Sequence, residues 1–223
     1  RLTQAELDLE YKYMAGGTFY VGASQQQLKG RSPLSMAFTS ASTELAIPLD
    51  EVTDQAYAQI DFASEFAAYS LRYDVSAFGN KIEEVRGDNP REVETGSISR
   101  APDNIAHQGT MLTTFKMPAF GLSLSAEGSY GVMQQNRPLS PYSRNSLASG
   151  APFDVSDSSN VAMYDAQNRM DTLRQDYRII FEPARVVELS VGLESFSLQD
   201  KRDTRAFPGH VIYDDLWIPG AVN

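Results

Sequence analysis

Residues 67–78 read AAYSLRYDVSAF, and the order of side chains in this stretch decides the fold. Tyr69, Leu71, Tyr73, Val75 and Ala77 share one parity, and Ser70, Arg72, Asp74 and Ser76 share the other. A period of two belongs to an extended strand with one apolar and one polar face; a helix would scatter both sets around its circumference. The segment is also longer than an ordinary soluble strand of about 5 to 6 residues. It reaches the roughly 9 to 11 residues that a tilted strand needs to cross a bilayer.

The same alternation recurs along the chain. Residues 7–13 set Leu7, Leu9, Tyr11 and Tyr13 against Asp8, Glu10 and Lys12. Residues 120–133 set Leu122, Leu124, Ala126, Tyr130 and Val132 against Ser123, Ser125, Glu127 and Ser129, and residues 187–195 set Val187, Leu189, Val191 and Leu193 against Glu188, Ser190, Gly192 and Glu194. Three further strands are predicted just upstream, each joined by a very short turn. Ala56, Ala58, Ile60 and Phe62 precede Ser64-Glu65-Phe66; residues 106–116 precede Met117-Pro118-Ala119; residues 169–181 precede Glu182-Pro183-Ala184-Arg185. Proline suits such turns and not a ladder interior.

The remaining connections, 14–53, 79–104, 134–167 and 199–223, are long and rich in turn formers such as Gly87-Asp88-Asn89-Pro90 and Ser140-Pro141-Tyr142. Loops beyond about 15 residues are uncommon in compact soluble domains. Alternation of short turns with long loops is the habit of transmembrane β-barrels, whose turns lie on the periplasmic side and whose loops lie outside the cell. The turns near 65, 118 and 183 are therefore expected to be periplasmic. Phe62, Phe66, Phe115, Phe120 and Phe181 fall beside those turns, while Tyr11, Tyr13, Tyr73 and Tyr130 are expected toward the opposite ends, as two interfacial girdles. The fold predicted is all-β, an antiparallel up-and-down transmembrane barrel, with residues 1–223 forming a partial outer-membrane barrel domain. About seven crossings can be counted, and single-chain bacterial barrels have an even number of at least 8. Unpaired strand edges in lipid cost several kcal/mol per group, so a larger barrel is expected.

Composition narrows the function. The 223 residues contain no cysteine, which removes disulfides, thiolate metal sites, thiol nucleophiles and covalent haem attachment. The two histidines, His107 and His210, are far apart, and a net charge of -10 argues against a nucleic-acid partner. No apolar run approaches the roughly 20 residues of a membrane helix. The mean hydropathy of -0.34 is what alternating lipid-facing and lumen-facing positions produce. There is no GxSxG, HExxH, phosphate loop or GxGxxG after a strand, so no enzyme is expected. Glu83-Glu84 and Asp214-Asp215 read as solvated loop acids more readily than as Ca²⁺ ligands.

The polar faces supply the candidate site. In a barrel they point at the lumen, where they would combine Asp8, Glu10, Lys12, Asp61, Arg72, Asp74, Glu127, Arg174, Asp176, Arg178, Glu188 and Glu194. This mixture can be a hydrated wall of mutually satisfied charges, or a surface that contacts a permeating solute or an inserted protein.

Four segments carry a resemblance. Ile47-Pro48-Leu49-Asp50-Glu51-Val52-Thr53-Asp54-Gln55 is a proline-and-acid lead into a strand. Ala101-Pro102-Asp103-Asn104-Ile105-Ala106-His107-Gln108 is the most specific of the four. Tyr130-Gly131-Val132-Met133-Gln134-Gln135-Asn136 is followed by Pro141-Tyr142, and Phe207-Pro208-Gly209-His210-Val211 comes last, with histidine at 210 where the pattern has tyrosine. Together, and in this order, they resemble the MtrB/PioB family of outer-membrane barrels. The resemblance implies a sheath in the Gram-negative outer membrane, amid lipid and lipopolysaccharide, that holds a periplasmic multihaem c-type cytochrome so that electrons cross the membrane. It implies haem carried by that partner with no cofactor in this chain, a surface-exposed cytochrome as a further partner, and no catalytic residue. A porin or transporter with a polar solute path, and a soluble or surface-exposed β-sandwich, remain the alternative readings.

Overall fold

The structure is a computed structural model that describes residues 1–14, 16–145, 153–165, 167–184, 187–202, 206–213 and 216–220. Its wall is built from β1 (Leu2–Met14), β2 (Gly17–Ala37), β3 (Ser42–Ala63), β4 (Ala67–Asn80), β7 (Asn104–Met117), β8 (Leu122–Gln135), β9 (Asn168–Ala184) and β10 (Val187–Asp200). These eight strands form one antiparallel sheet in chain order, β1-β2-β3-β4-β7-β8-β9-β10. Between β4 and β7, β5 (Glu84–Asp88) pairs with β6 (Thr95–Ser99); after β10, β11 (Gly209–Ile212) pairs with β12 (Leu216–Pro219). The sheet is open, with β1 and β10 at its edges.

Directly opposed residues in an antiparallel pair point to the same side, so the register sorts the faces. One row runs Leu9, Val21, Ala58, Tyr73, Gly109, Tyr130, Leu173; another runs Tyr11, Phe19, Ile60, Leu71, Met111. Nearer the short turns, Phe115, Leu124, Ile179 and Val191 align. All of these occupy one side of the sheet, where Val21 and Leu124 are half-buried between neighbours and most of the large side chains are exposed, Leu71 by 58% and Val191 by 68%. Burying such a side chain is worth about 1.5–3 kcal/mol, so a continuous apolar face left bare of protein needs another apolar medium. A β-sandwich would cover it with a second sheet, and the described residues form no such layer. Lipid is the solvent that fits.

The turns give the tilt. From the β1–β2 strand ends through 64–66 and 118–121 to the β9–β10 strand ends, the hairpin ends step along the register by about five to six residues across six strand intervals. With about 3.3 Å per residue and 4.8 Å between strands, turns lying in one plane imply strands inclined by roughly 30°. Barrel strands tilt by about 35–45°.

The structure departs from two sequence expectations. Residues 14–53 are not a loop: they hold all of β2 and the first half of β3, paired without a break from Gly17↔Phe62 to Ala37↔Ser42. The wall therefore has eight described strands in place of about seven. β2 escaped notice because Tyr20 and Gly22 fall on its polar parity and Ala23 on its apolar one, which blurs the alternation. Its prolines obey the ladder rule nonetheless. Pro33 lies beyond the end of β1 and Pro48 beyond the end of β4, so each has a strand on one side only. The second correction follows from the first. β1 and β2 pair up to Met14↔Gly17 and so are joined by a fourth short connection, which places Tyr11 and Tyr13 in the same girdle as the phenylalanines; Tyr73 and Tyr130 stay toward the far end.

The other predicted loops hold structure of their own. Residues 79–104 contain the β5–β6 hairpin, 134–167 a Pro138↔Asp165 bridge and a short 3₁₀ turn at Ser158–Asn160, and 199–223 the β11–β12 hairpin. The buried apolar side chains of the described residues, Met36, Phe38, Ile47, Val85, Val155 and Trp217, all lie at this end. Met36 and Ile47 sit on the inner parity of the β2–β3 extension, and the backbone of Gly87 approaches Met36 and Leu45 there so closely that a Cβ would lie 2.6 and 2.5 Å from their side chains. The β5–β6 hairpin thus folds inward and forms part of a cap above the inner face.

Candidate functional site: the inner wall

All the predicted inner-wall residues that the register pairs do share the polar side of the sheet. One row runs Asp8, Gly22, Tyr57, Asp74, Gln108; the next runs Glu10, Tyr20, Gln59, Arg72, Thr110, Ser129, Arg174; a third runs Lys12, Thr18, Asp61, Ser70, Leu112, Glu127, Asp176, Glu194. Arg178 lies opposite Ser125 and Gly192 on the same side. Glu188 stands at the bulge between Val187 and Leu189.

The structure gathers these residues into two clusters. On β1 to β4, the Tyr57 hydroxyl donates to Asp8 Oδ1 at 2.7 Å, and the Arg72 guanidinium lies 4.1 Å from the centre of the Tyr57 ring. Arg72 donates to Asp74 at 2.7 and 2.9 Å and to Gln59 Oε1 at 3.3 Å, while Gln59 Nε2 donates to both oxygens of Asp61 at 2.9 Å. Near the edge, Lys12 and Glu10 pair at 3.3 Å. On β8 to β10, Glu127, Asp176 and Glu194 stand abreast, and Arg174 reaches Glu194 at 3.2 Å. Between the clusters β7 offers the uncharged Gln108, Thr110, Leu112 and Thr114. Tyr57 and Gln59 are the organisers that sequence reading passed over, although their parity already put them on this face.

The twelve predicted wall residues comprise eight acids and four bases, so the wall is net acidic. Partly exposed pairs of this kind contribute only about 0–1 kcal/mol each to stability. Their worth is positional: they hold charges at fixed points on the polar face of the sheet. Among the described residues, no group of three or more His, Cys, Asp or Glu is placed to hold a metal ion.

The cap is tied together by polar and aromatic contacts. Arg144 and Arg86 hold Glu84, and together with Ser97 they lower its carboxyl to about 2 against the usual carboxylate range. Arg137 bridges Glu83 at 2.8 Å and Asp103 at 3.3 Å, so Glu83 and Glu84 are spent on ion pairs; Asp214-Asp215 lie outside the described residues. Asn145 exchanges two 2.8 Å hydrogen bonds with the Thr95 backbone. Tyr142 packs edge-on against Trp217 at 4.6 Å and Phe207 at 6.1 Å.

The four resembling segments now have structural roles. Asp103 accepts the Asn80 N–H at 2.7 Å, and Ala101 accepts from its side chain at 3.0 Å, which fastens the start of β7 to the end of β4. His107 and Tyr73 meet at 2.8 Å on the outer face. Pro48 lies opposite Arg31 in the β2–β3 extension, and Tyr130 hydrogen-bonds Asp171 at 3.1 Å. Tyr142 and Phe207, distant in sequence, converge on one aromatic cluster.

A tilted, up-and-down antiparallel sheet with an apolar outer face, a charged inner face and loops gathered at one end is the wall of a transmembrane β-barrel. The family model described as outer membrane beta-barrel porin, MtrB/PioB, matches residues 3–216, and the chain belongs to that family. The family is one of outer-membrane barrels and not a class of enzyme. No curated protein matches the chain.

Proposed function

We propose that these strands form part of a sheath in the outer membrane of a Gram-negative cell, which holds a periplasmic multihaem c-type cytochrome in its lumen and so lets electrons cross the membrane. The haems are the partner's; this chain, without cysteine, supplies the insulating wall. Lipid and lipopolysaccharide surround it, and a surface-exposed cytochrome docks over the cap. Paired edges are obligatory in lipid, so further strands beyond β1 and β10 complete the wall.

The observation that carries this reading is the inner wall itself. Its charges stand in two clusters instead of being spread evenly, one of them tied by Tyr57 and Gln59 and the other by the Arg174–Glu194 pair, which suits docking of a folded partner with complementary charge. The cap folded above the inner face also favours an occluded mouth over an open one. The porin description of the family keeps a second reading in play, in which the same polar wall lines a path for solutes.

Detergent extraction of the whole protein separates the two. The sheath predicts haem absorbance and a multihaem cytochrome in the purified complex, with little ion conductance in planar bilayers. Absence of haem together with steady conductance would make it a porin.

A further inference from the structure

The outer face is mostly apolar through the band, interrupted by Gln175, Ser195 and the paired Gln25 and Asp54, and basic above it. On outward-facing parity, Lys29 and Arg31 of β2, Lys81 just past β4, Arg169 of β9 and Lys201 just past β10 all stand about 13 to 15 residues along the strand from the nearest short turn. Lys81 donates its backbone N–H to Asp50 and Lys201 to Arg169, which continues the register and keeps both on that parity. At about 3.3 Å per residue and the tilt of barrel strands, this is a level roughly 35 Å above the turns, just beyond an apolar band about 25 Å tall. Tyr73, Tyr130 and His107 mark the interface immediately below it.

The basic level is one-sided. Among the described residues, the outward face near the short turns carries no lysine or arginine; the strand cations there, Lys12, Lys116 and Arg178, are on the inner side. Snorkelling to any water interface would place cations at both ends. Two outward strand carboxylates share the level, and a third, Asp103 just before β7, is held by Arg137 at 3.3 Å. Asp50 pairs with Lys29 at 3.6 Å, and the buried Asp171 takes Arg169 at 2.7 Å and Lys201 at 2.5 Å. Five cations against two carboxylates leave an excess of positive charge, and the side chains of Lys29, Arg169 and Lys201 remain 52%, 42% and 49% exposed.

We infer that Lys29, Arg31, Lys81, Arg169 and Lys201 form a belt that binds the phosphate groups of lipid A, the phosphorylated glycolipid of the outer leaflet. An ammonium or guanidinium at headgroup height makes charge-assisted hydrogen bonds to phosphate oxygens. Asp171 fixes Arg169 and Lys201 side by side, which sets two cationic groups at one spot on the lipid-facing surface. Asp50 anchors Lys29 in the same way, one strand from Lys81. The belt rests on the outward orientation of the loop end proposed above, and it would fix the depth of the barrel.

The test uses the whole protein in detergent, incubated with diphosphoryl lipid A or with phosphatidylglycerol, then exchanged into lipid-free detergent and assayed for bound lipid by native mass spectrometry. Wild-type protein should retain lipid A at least about fivefold over phosphatidylglycerol, and R169Q/K201Q should lose that preference while K116Q keeps it. Equal retention by wild type and R169Q/K201Q, or equal retention of the two lipids, would overturn the belt. Should the double variant not fold, dephosphorylated lipid A offered to wild type decides: retention should fall about fivefold, and unchanged retention refutes the inference. The variant should keep any haem partner, so loss of lipid A with haem retained distinguishes this site from the sheath itself.

Discussion

Gly16 and Gly121 show how much a single position can decide. Both adopt left-handed backbone, φ +83° and +56°, in short turns. Each turn presses against the next hairpin: Ala63 donates to the Gly16 carbonyl and Glu182 to the Gly121 carbonyl, both at 2.7 Å. A Cβ at either glycine would lie 2.0 Å from Ala63 O or 2.2 Å from Glu182 O. Gly16→Ala and Gly121→Ala should therefore cost about 2 kcal/mol or more in urea-dependent folding into lipid vesicles. Gly109→Ala, with open space around its Cβ, should be close to neutral. Arg72 is the corresponding position on the inner wall. Arg72→Ala leaves the partly exposed Asp74 without its partner and takes the cation from the Tyr57 ring, at a cost of about 0.5–1 kcal/mol by the same assay, and Arg72→Ala with Asp74→Ala should recover part of it.

At the scale of elements, the two faces of one strand make opposite predictions. Leu71→Arg puts a charge on the lipid side and should destabilise folding into vesicles by about 2–4 kcal/mol, whereas Ser70→Arg on the inner side should be tolerated. Equal effects would mean the faces are misassigned. The cap offers a test with its own reporter, because Trp217 is the chain's one tryptophan and is 3% exposed. Glu84 has a carboxyl lowered to about 2 in the folded cap, so the folded cap binds fewer protons than the opened one. Its contribution is whole above the ordinary carboxylate range and is lost as pH falls from about 4.5 toward 2. Trp217 emission should shift to the red across that window, and Glu84→Gln should remove the pH step. The same contrast between wall and cap governs what sequence could reveal. β4, β8 and β10 were legible because lipid on one side and water on the other force strict alternation. The first half of β2 was not, since Tyr20 inward and Ala23 outward leave too small a difference between its faces. The outer halves of β2 and β3 stand above the apolar band with the β5–β6 hairpin against their inner side, and nothing in their own sequence announces a partner that arrives from residues 84–99. The cost of missing β2 was the misplaced girdle of Tyr11 and Tyr13. The inner-wall set survived it, because parity within β1 does not depend on where the chain goes next; the bonds that make Tyr57 and Gln59 organisers needed the register.

For the molecule as a whole, the tilt inferred from the staggered turns belongs to a wall in which every backbone group in lipid finds a partner, and the apolar exterior and charged interior belong to lipid on one side and water on the other. The family assignment places that wall in the outer membrane. What the lumen holds is the central claim, and alternation along β4 and β9 gives the means to test it. A photo-reactive phenylalanine analogue placed singly at 72 or 174 in the whole protein would face inward, and at 71 or 173 it would face lipid. On illumination in membranes, a sheath around a cytochrome gives haem-staining cross-linked products from positions 72 and 174 and none from 71 and 173. Haem-staining products from none of the four positions, or equally from both faces, would contradict it.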